Sequence, residues 1–364
     1  MKLEISKDVL LKGITAVQNA ISPRSTLPIL SNILLQTEKD KLTITGTDLD
    51  IGIITTMPAK TITPGSITAP AKKLLDIVKE LPESQITMSV RKNNMIQIEC
   101  ERVEFKIMGI PVDDFPKLPE FKDKDSITVD QPLLKTMLDM TSFAVSRDET
   151  RYILNGVYVI IKKSSIKMVA TDGRRLALME RNTELPKNID KKAIIPAKAV
   201  QELHRSLKDK GAVTIFFSDN QIMFNLEDSI IISRLIEGEF PNYEQVIPEE
   251  IKDKVIIDRE KFLLATRRAS LLTSQDSQGI KIDIEKDKMV ISKCSPDIGE
   301  AREELDIDYK GSPLSIGFNP NYIIDALKNL NEQSVGFELQ NPEKPGVIRT
   351  KDNYIYVVLP MQLT

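Results

Sequence analysis

Two pairs of aspartates are the residues whose types and spacing could support metal-assisted chemistry. Asp48 and Asp50 are separated by one residue, as are Asp306 and Asp308. Residues i and i+2 of a strand lie on one face, so each pair could hold magnesium through two carboxylates. Such pairs more often belong to a turn or to a solvated sheet face. We therefore predict no metal site, and keep a magnesium-dependent nucleic-acid enzyme using Asp48 and Asp50 as the competing hypothesis.

The other residues that could do chemistry are few. His204 is the only histidine and has no second histidine with which to build a proton relay or a zinc site. Neither a Gly-x-x-x-x-Gly-Lys phosphate loop nor a Gly-x-Gly-x-x-Gly motif is present. Cys100 and Cys294 lack metal-ligand spacing, and we interpret them as reduced residues that fill space on strands. The sequence predicts no catalytic residue and no cofactor.

The elements that position these residues follow an internal repeat. Pro70, Pro196 and Pro320 each follow a short apolar run and open a segment of helical periodicity, and they lie 126 and 124 residues apart. Proline suits the first turn of a helix, where its missing N–H has no partner to lose. Three strand-and-helix units at one spacing predict a chain built from three copies of one domain.

Further landmarks repeat at the same interval. Thr47-Asp48 and Thr171-Asp172 are 124 residues apart, and Phe115-Pro116 and Phe240-Pro241 are 125 apart. Each copy reads as helix, strands, helix, strands, which predicts an α+β fold of three similar domains with helices on antiparallel sheets. We place their boundaries at 1–122, 123–250 and 251–364. The chain has 364 residues, 41% hydrophobic and 28% charged, which is ordinary for globular domains of this number.

The amino terminus and the apolar runs argue against a membrane protein. Acidic residues stand where a signal peptide would have its apolar region. No apolar run approaches the roughly 20 residues that a membrane helix needs. We expect a cytoplasmic protein.

Charge is distributed unevenly along the chain. The predicted helices together carry sixteen Lys or Arg against eight Asp or Glu; they span residues 7–20, 70–81, 131–147, 196–210, 259–268 and 320–331. With a net charge of −3 for the chain, the remainder carries −11. Lysine and arginine are good helix formers, so the excess could be incidental. We favour a helical surface that faces a polyanion, with phosphate contacts from Lys72, Lys73, Lys198, Arg205 and Arg267 among others.

Longer motifs indicate a family. Residues 151–156 read Arg-Tyr-Ile-Leu-Asn-Gly, 170–177 read Ala-Thr-Asp-Gly-Arg-Arg-Leu-Ala, 238–243 read Gly-Glu-Phe-Pro-Asn-Tyr, and 356–363 read Tyr-Val-Val-Leu-Pro-Met-Gln-Leu. Together they resemble the beta-subunit family of bacterial DNA polymerase III, the sliding clamps, over the whole chain. The resemblance implies a non-catalytic processivity factor: a closed head-to-tail homodimeric ring that encircles double-stranded DNA, with helices lining the hole. It also implies a replicative polymerase subunit, a clamp loader and other clamp-motif peptides as partners.

The resemblance also assigns roles to residues. It implies a peptide cleft between the second and third domains formed by Leu154, Thr171, Gly173, Arg174, Arg175, Leu176, Pro241, Val246, Asn319, Tyr322, Val357, Val358, Leu359, Pro360 and Met361. Arg24 and Arg147 would touch DNA at the rim of the hole. The dimer interface would bring Lys73, Phe105 and Ile107 of one chain against Leu271, Leu272, Glu300, Glu303 and Glu304 of the other.

A size estimate bears on encirclement. Helices packed about 10 Å apart and about 5 Å in radius leave a hole of roughly 9 Å for six helices and roughly 28 Å for twelve. A B-DNA duplex is roughly 20 Å wide. Two chains would therefore be needed to surround it. A three-repeat scaffold that binds no DNA is the remaining alternative.

Overall fold

The structure is a computed structural model that describes residues 1–21, 27–119, 121, 126–186, 189–250, 254–295 and 298–362. Arg24 lies outside the described residues. The fold is α+β, and all strand pairings recorded in the sheets are antiparallel. Within the described part of the chain, no helix is both long and apolar enough to cross a membrane.

In the described residues, six α-helices lie close to the predicted segments. They are α1 (Lys7–Val17), α2 (Ala71–Glu80), α3 (Gln131–Thr141), α4 (Ala197–Ser206), α5 (Arg259–Ser270) and α6 (Pro320–Asn329). Of the three repeated prolines, only Pro320 occupies the first position of its helix, where it follows the N-cap residue Asn319. Pro70 is the extended residue before α2 and Pro196 ends a strand, so these two helices start one residue later than predicted.

The strands fall into two series. The first is β1 (Lys2–Ser6), β2 (Asn32–Glu38), β3 (Lys41–Thr47), β4 (Ile51–Pro58), β5 (Lys60–Thr63), β6 (Gly65–Pro70), β7 (Gln85–Val90), β8 (Met95–Cys100), β9 (Val103–Met108), β10 (Ser126–Asp130), β11 (Gly156–Lys162), β12 (Ser165–Thr171) and β13 (Arg175–Asn182). The second is β14 (Asp190–Pro196), β15 (Ala212–Phe217), β16 (Gln221–Leu226), β17 (Ser229–Arg234), β18 (Lys254–Asp258), β19 (Ile280–Glu285), β20 (Lys288–Ser295), β21 (Gly299–Asp306), β22 (Leu314–Phe318), β23 (Ser334–Glu338), β24 (Gly346–Thr350) and β25 (Tyr354–Val358).

The first compact unit comprises Met1–Pro132 and Lys198–Leu235. It contains a five-stranded sheet in the order β5-β1-β7-β8-β9 and an eight-stranded sheet in the order β10-β15-β16-β17-β4-β3-β2-β6. In the larger sheet β17 pairs with β4, so strands from the first and second sequence repeats share one sheet. Helices α1 and α2 contact each other within this unit.

The second compact unit comprises Leu133–Ala197 and Ile236–Thr364. Its eight-stranded sheet has the order β14-β11-β12-β13-β25-β24-β23-β18, and its four-stranded sheet has the order β21-β20-β19-β22. Here β13 pairs with β25, which again joins two sequence repeats in one sheet. Helices α5 and α6 contact each other. In the described part of each unit, two helices of one repeat contact each other and one sheet is shared between two repeats.

Alternating apolar residues and helical stripes form the cores. Leu10, Ile14 and Val17 form an apolar stripe at helical spacing on α1 and are fully buried, and each such side chain contributes about 1.5–3 kcal/mol by leaving water. Cys100 is buried on β8 as predicted. Cys294 on β20 is exposed instead, so the prediction that it fills space inside a strand layer is wrong.

Candidate functional site

The second unit contains a cavity of about 180 Å³ with mostly apolar walls. Ten of the residues predicted for the peptide cleft line it: Leu154, Thr171, Gly173, Arg174, Arg175, Leu176, Pro241, Val246, Val357 and Leu359. They come from the end of a 3₁₀ helix, from the turn between β12 and β13, from a segment after residue 240, and from the end of β25. A concave, mostly apolar surface with a few polar groups is typical of a binding site.

Local hydrogen bonds determine the shape of the turn at 171–175. The Thr171 hydroxyl donates to the carbonyl of Arg175 (2.6 Å) and accepts from the N–H of Gly173 (3.1 Å). Asp172 Oδ1 accepts from the backbone N–H groups of Arg174 and Arg175, at 2.9 and 3.0 Å. Threonine and aspartate side chains stabilise turns in this way. Gly173 has φ +85°, a conformation that glycine adopts without steric cost.

Arg175 is held on several sides by the protein itself. Its Nε donates to Asp172 Oδ2 (3.1 Å), its Nη1 to Asp325 Oδ2 (2.7 Å) and its Nη2 to the carbonyl of Phe143 (2.7 Å). The guanidinium lies over the ring of Tyr322 at 4.6 Å. Burial acts to lower the pKa of Arg175, but the surrounding charges and the bond to Asp325 outweigh it and the pKa is raised. Arg175 is therefore a fixed cation in the wall, whereas Arg174 is exposed at the rim.

Five predicted cleft residues do not line the cavity, and each has an identifiable place. Val358 is 1% exposed, because alternate residues of a strand face opposite sides and its neighbours Val357 and Leu359 take the cavity side. Tyr322 stacks behind Arg175. Asn319 is buried and caps α6 by accepting from the N–H of Asn321. Pro360 and Met361 follow β25, where the N–H of Met361 donates to the carbonyl of Gly317 (2.8 Å).

Asn242 and Tyr243 also line the cavity, although they were not predicted as site residues. Both belong to the motif at 238–243, so the signal was present in the sequence. Tyr243 packs with Leu176 and Val357 in one apolar cluster and meets the ring of Tyr158 edge-on at 6.4 Å. Burial raises the pKa of Tyr243 to about 12, and the Glu244 carboxylate adds to the effect. The Tyr243 side chain therefore stays uncharged to well above neutral pH.

The cations predicted to contact DNA divide into two groups. Lys72 and Lys73 on α2, Arg147 after α3, and Arg267 on α5 are exposed, and no ion pair joins them to another described residue. Lys198 bonds to Asp48, and Arg205 donates to Glu202 at 2.6 Å. The charge of the second group is therefore largely balanced inside the chain.

The contact of Lys198 bears on the alternative magnesium hypothesis. Asp48 Oδ1 accepts from the backbone N–H groups of Asp50 and Ile51, while Oδ2 bonds to Lys198. Both oxygens of this carboxylate are thus occupied by donors of the chain. Across the residues that the structure describes, no three His, Cys, Asp or Glu side chains are grouped so that they could hold a metal ion.

Five of the eight residues predicted for the dimer interface lie on two edge strands. Phe105 and Ile107 are on β9, the last strand of the five-stranded sheet, and Glu300, Glu303 and Glu304 are on β21, at one edge of the four-stranded sheet. Phe105 is 38% and Leu271 77% exposed. Leu272 is half-buried, and Lys73 is exposed. Glu303 pairs with Arg268 of its own chain, which lowers the pKa of that carboxyl.

Comparisons with known proteins agree over the full length. Models of the DNA polymerase III beta subunit match in three parts: the N-terminal domain at residues 1–119, the central domain at 128–242 and the C-terminal domain at 244–362. The Beta sliding clamp of Chlamydia pneumoniae is 31% identical over 363 residues, covering 100% of this chain and 99% of its own.

Solved structures give the same result. The DNA polymerase sliding clamp from Bacillus subtilis has a TM-score of 0.95 at 32% identity and covers 100% of both chains. The sliding clamp from Pseudomonas aeruginosa bound to griselimycin has the same TM-score, identity and coverage.

Proposed function

The chain belongs to the DNA polymerase III beta subunit family, the non-catalytic beta sliding clamps of DNA replication, and on that basis we propose how it acts. Two copies close head to tail into a ring around duplex DNA, and each copy tethers a polymerase through the cavity beside the turn at 171–175. A clamp loader and other enzymes with clamp-binding peptides compete for the same cavity. The three domains are 1–122, 123–250 and 251–364.

The observation that carries the tethering proposal is the cavity itself. Apolar residues form its floor, and Val246 and Leu359 are 52% and 41% exposed at its mouth. Exposed apolar residues around a concave surface are typical of a protein-interaction site. Arg174, whose side chain is exposed, is available to bond carbonyl or carboxylate groups of a peptide. Tethering then acts by raising the effective concentration of the polymerase at its template.

The proposal for DNA contact is supported by the exposed cations. Lys72, Lys73, Arg147 and Arg267 are available to phosphates, and Arg24 is a further candidate from the sequence. Contacts of this kind carry no sequence information, and they weaken as the salt concentration rises because counterions released from DNA into a more concentrated solution gain less entropy. A ring does not need strong contacts, since it is retained by its topology. About twelve helices around the hole would leave room for the duplex and a layer of water.

The proposal for ring closure is supported by the two edge strands. An edge strand exposes unpaired backbone N–H and C=O groups that a second strand can bond. β9 carries the exposed Phe105, and the exposed Leu271 directly follows α5, a helix that contacts β21. Pairing one edge of the first unit with one edge of the second, in two copies, produces a closed assembly with C₂ symmetry.

Loading on DNA tests encirclement directly. The protein is loaded on nicked circular DNA with a clamp loader and ATP, and the circle is then cut once. A ring runs off the free ends, so binding that persists after the cut would contradict encirclement. Phe105→Asp is expected to lower the dimer fraction and the loaded amount at least about 10-fold. Ile62→Asp is the matched control, because Ile62 is 45% exposed on β5 at the other edge of the same sheet.

A peptide assay tests the cavity separately. Val246→Asp is expected to weaken binding of a labelled clamp-binding peptide from a replicative polymerase about 10-fold or more, because it places a charge on the apolar wall. Ile256→Asp is the control, since Ile256 is 41% exposed on β18 and does not line the cavity. Equal peptide affinities of the two variants would remove the cavity from the proposal and leave encirclement untouched.

A further inference from the structure

The two eight-stranded sheets are built on the same plan. In the first sheet β17 pairs with β4, and in the second β25 pairs with β13. We call these two pairings the internal seams, because each joins strands of different repeats. Each seam divides its sheet into two groups of four strands: β10-β15-β16-β17 meets β4-β3-β2-β6, and β18-β23-β24-β25 meets β13-β12-β11-β14.

The two smaller sheets contain the same groups without the matching group beside them. The four-stranded sheet, β21-β20-β19-β22, corresponds to the group that begins at β4 or β13. These three strands begin at residues 51, 175 and 299, in steps of 124. In the five-stranded sheet, β1-β7-β8-β9 corresponds to the group that ends at β17 or β25, and β9, β17 and β25 each form a hairpin with the preceding strand. β9 and β21 are therefore edge strands whose counterparts form the internal seams.

The two internal seams have the same antiparallel register. In the first, Ile53 is opposite Ile231, and in the second, Ala177 is opposite Tyr356. Each of these four residues is the third of its strand. A seam between β9 and β21 with the same register would therefore place their third residues opposite each other.

The third residues of β9 and β21 are suited to such a seam. They are Phe105 and Ala301, so a large side chain would meet a small one. Phe105 is opposite the fully buried Ile98 of β8. Ala301 is on the same face of β21 as Leu305, which is buried opposite Met289. Both third residues are thus on the core faces of their sheets, as a continuous sheet with one core requires.

The other faces of β9 and β21 carry exposed charges that match in this register. Glu104 and Lys106 are exposed on β9, and Glu300 and Arg302 are exposed on β21. The register places Glu104 opposite Arg302 and Lys106 opposite Glu300, and opposite charges on facing strands are stabilising. Two residues is the smallest slip that keeps the core faces together. It would put Glu104 opposite Glu300 in one direction and opposite Glu304 in the other.

The charges already alternate along each strand within one chain. Lys106 Nζ lies 2.8 Å from Glu104 Oε1, and Arg302 Nη1 lies 2.6 Å from Glu304 Oε1. All four side chains are about half exposed. Cross-strand pairs would extend this alternation of sign without separating the pairs that exist in the single chain.

We propose that a second copy of the chain is recognised through this register. β9 of one chain pairs antiparallel with β21 of the other as the internal seams pair, with Glu104 opposite Arg302 and Lys106 opposite Glu300. The inference rests on the head-to-tail ring proposed above and specifies which residues meet in it.

The internal seams have apolar residues where this seam has charges. At the place of Glu104 and Arg302 they have Ile230 opposite Ile54 and Ile355 opposite Leu178. An internal seam is formed within one chain, whereas β9 and β21 are exposed whenever the copies separate. Charges on an exposed edge keep it soluble and disfavour pairing with the wrong strand.

Cysteine cross-linking reads the register directly. The background variant is Cys294→Ser, which removes an exposed native thiol. Adding Glu104→Cys and Arg302→Cys places two thiols opposite each other in each seam, with Cα atoms roughly 4.5–5.5 Å apart, within reach of a disulfide. Oxidation is expected to give a covalent dimer on a denaturing gel. The matched control combines Glu104→Cys with Glu300→Cys, a diagonal pair roughly 7–8 Å apart, and should cross-link at least about 10-fold more slowly.

The outcomes separate the register from the ring. Equal rates for the two variants, or faster cross-linking of the diagonal pair, would overturn the register while a dimer in sedimentation of the unmodified protein left the ring intact. An unmodified protein that sediments as a monomer at every concentration would overturn both.

Charge reversal tests the contact between Glu104 and Arg302. Arg302→Glu puts two carboxylates opposite each other in both seams and is expected to raise the dissociation constant of the dimer about 10-fold. Adding Glu104→Lys should restore it. Glu99→Lys is the matched control, since Glu99 is exposed on β8 opposite Glu104, one strand further from the seam. Equal rescue by the two lysines would show a general charge effect and contradict the proposed pair.

Discussion

The turns at 47–51 and 171–175 have the same hydrogen bonds in two different units. In each, the threonine hydroxyl donates to the carbonyl of the fifth residue and accepts from the N–H of the third. In each, the aspartate Oδ1 accepts from the fourth and fifth N–H groups. The third residues, Leu49 and Gly173, have φ values of 81° and 85°. The backbone of the turn is thus duplicated together with the sequence.

The side chains on the two turns differ where it matters for the cavity. The fifth residue is Ile51 in the first turn, 2% exposed, and Arg175 in the second. The residue after it is Gly52 in the first turn, and Leu118 packs so closely on it that an added Cβ would lie 2.8 Å from Leu118 Cδ2. The corresponding Leu176 lines the cleft beside Tyr243. A duplicated backbone therefore supplies a scaffold, and the substituted side chains determine whether a binding cavity forms on it.

Removing the arginine from the second turn should have the largest effect. Arg175→Met leaves Asp172 and Asp325 without their common cation, and we expect a loss of about 2–4 kcal/mol in the free energy of unfolding. Urea denaturation at pH 7 measures it. Arg174→Met is the control, because Arg174 is exposed, and it should change stability by about 0.5 kcal/mol or less. Comparable losses in the two variants would show that the fixed cation is not what distinguishes this turn.

Ionisation of Tyr243 in the cavity wall should have the second-largest effect on the free energy of unfolding. The pKa of Tyr243 is raised to about 12 in the folded state by burial, whereas an unfolded tyrosine has a pKa of about 10. The unfolded chain therefore loses its proton first, and stability falls as pH rises from about 10 to about 12, by about 2–3 kcal/mol for this group. Tyr243→Phe should remove that part of the pH dependence, as measured by urea denaturation from pH 8 to 12.

The position of Tyr243 in the repeat provides the comparison for that experiment. Its counterpart 125 residues earlier is Leu118, which does not titrate. Other buried tyrosines, Tyr354 and Tyr356, also have raised pKa values owing to burial, so the protein without Tyr243 should still lose stability at high pH. The prediction concerns the difference between the two proteins, and parallel curves from pH 10 to 12 would contradict it.

Substituting the third residue of each turn should have different effects on the free energy of unfolding, a loss at Gly173 and no loss at Leu49. Gly173→Ala puts a Cβ on a residue with positive φ, 2.9 Å from Arg151 Nη1, and should cost about 1–2 kcal/mol. Leu49→Gly relieves the same backbone conformation in the first turn. It should be neutral or stabilising by up to about 1 kcal/mol, since the added flexibility of the unfolded chain offsets part of the gain. Thermal unfolding of both variants checks the signs, and two losses of equal size would refute the equivalence of the turns.

Breaking the exposed ion pair should have the smallest effect. Lys198→Met removes the partner of Asp48 Oδ2, and because Lys198 is about half exposed we expect a loss of about 1 kcal/mol or less in the free energy of unfolding. The loss should shrink further in high salt. A large, salt-independent loss would mean that the first turn depends on its cation as strongly as the second.

Much of the fold was predictable because it rests on local patterns. The stripe of Leu10, Ile14 and Val17 predicts α1, and the spacing of the Thr-Asp pairs predicts that two turns correspond. The short β1 was missed, although it is paired on both sides, with β5 and β7. A five-residue strand next to a helix has too few residues for its period to be distinguished. Tyr243 was missed as a site residue because its motif indicates a family and does not show which side chain faces a cavity.

The sequence alone determined the α+β class, the threefold repeat, the helix positions and most of the residues that line the cavity, since each is encoded by periodicity or by a contiguous motif. Tertiary structure decided which residues of those motifs meet. Arg175 bonds to Asp325, 150 residues away in the sequence, and Lys198 bonds to Asp48 across the same sequence separation. β13 reaches the cleft only because it pairs with β25. Contacts between residues so far apart in the sequence depend on chain topology, which places strands and charges side by side regardless of their local propensities.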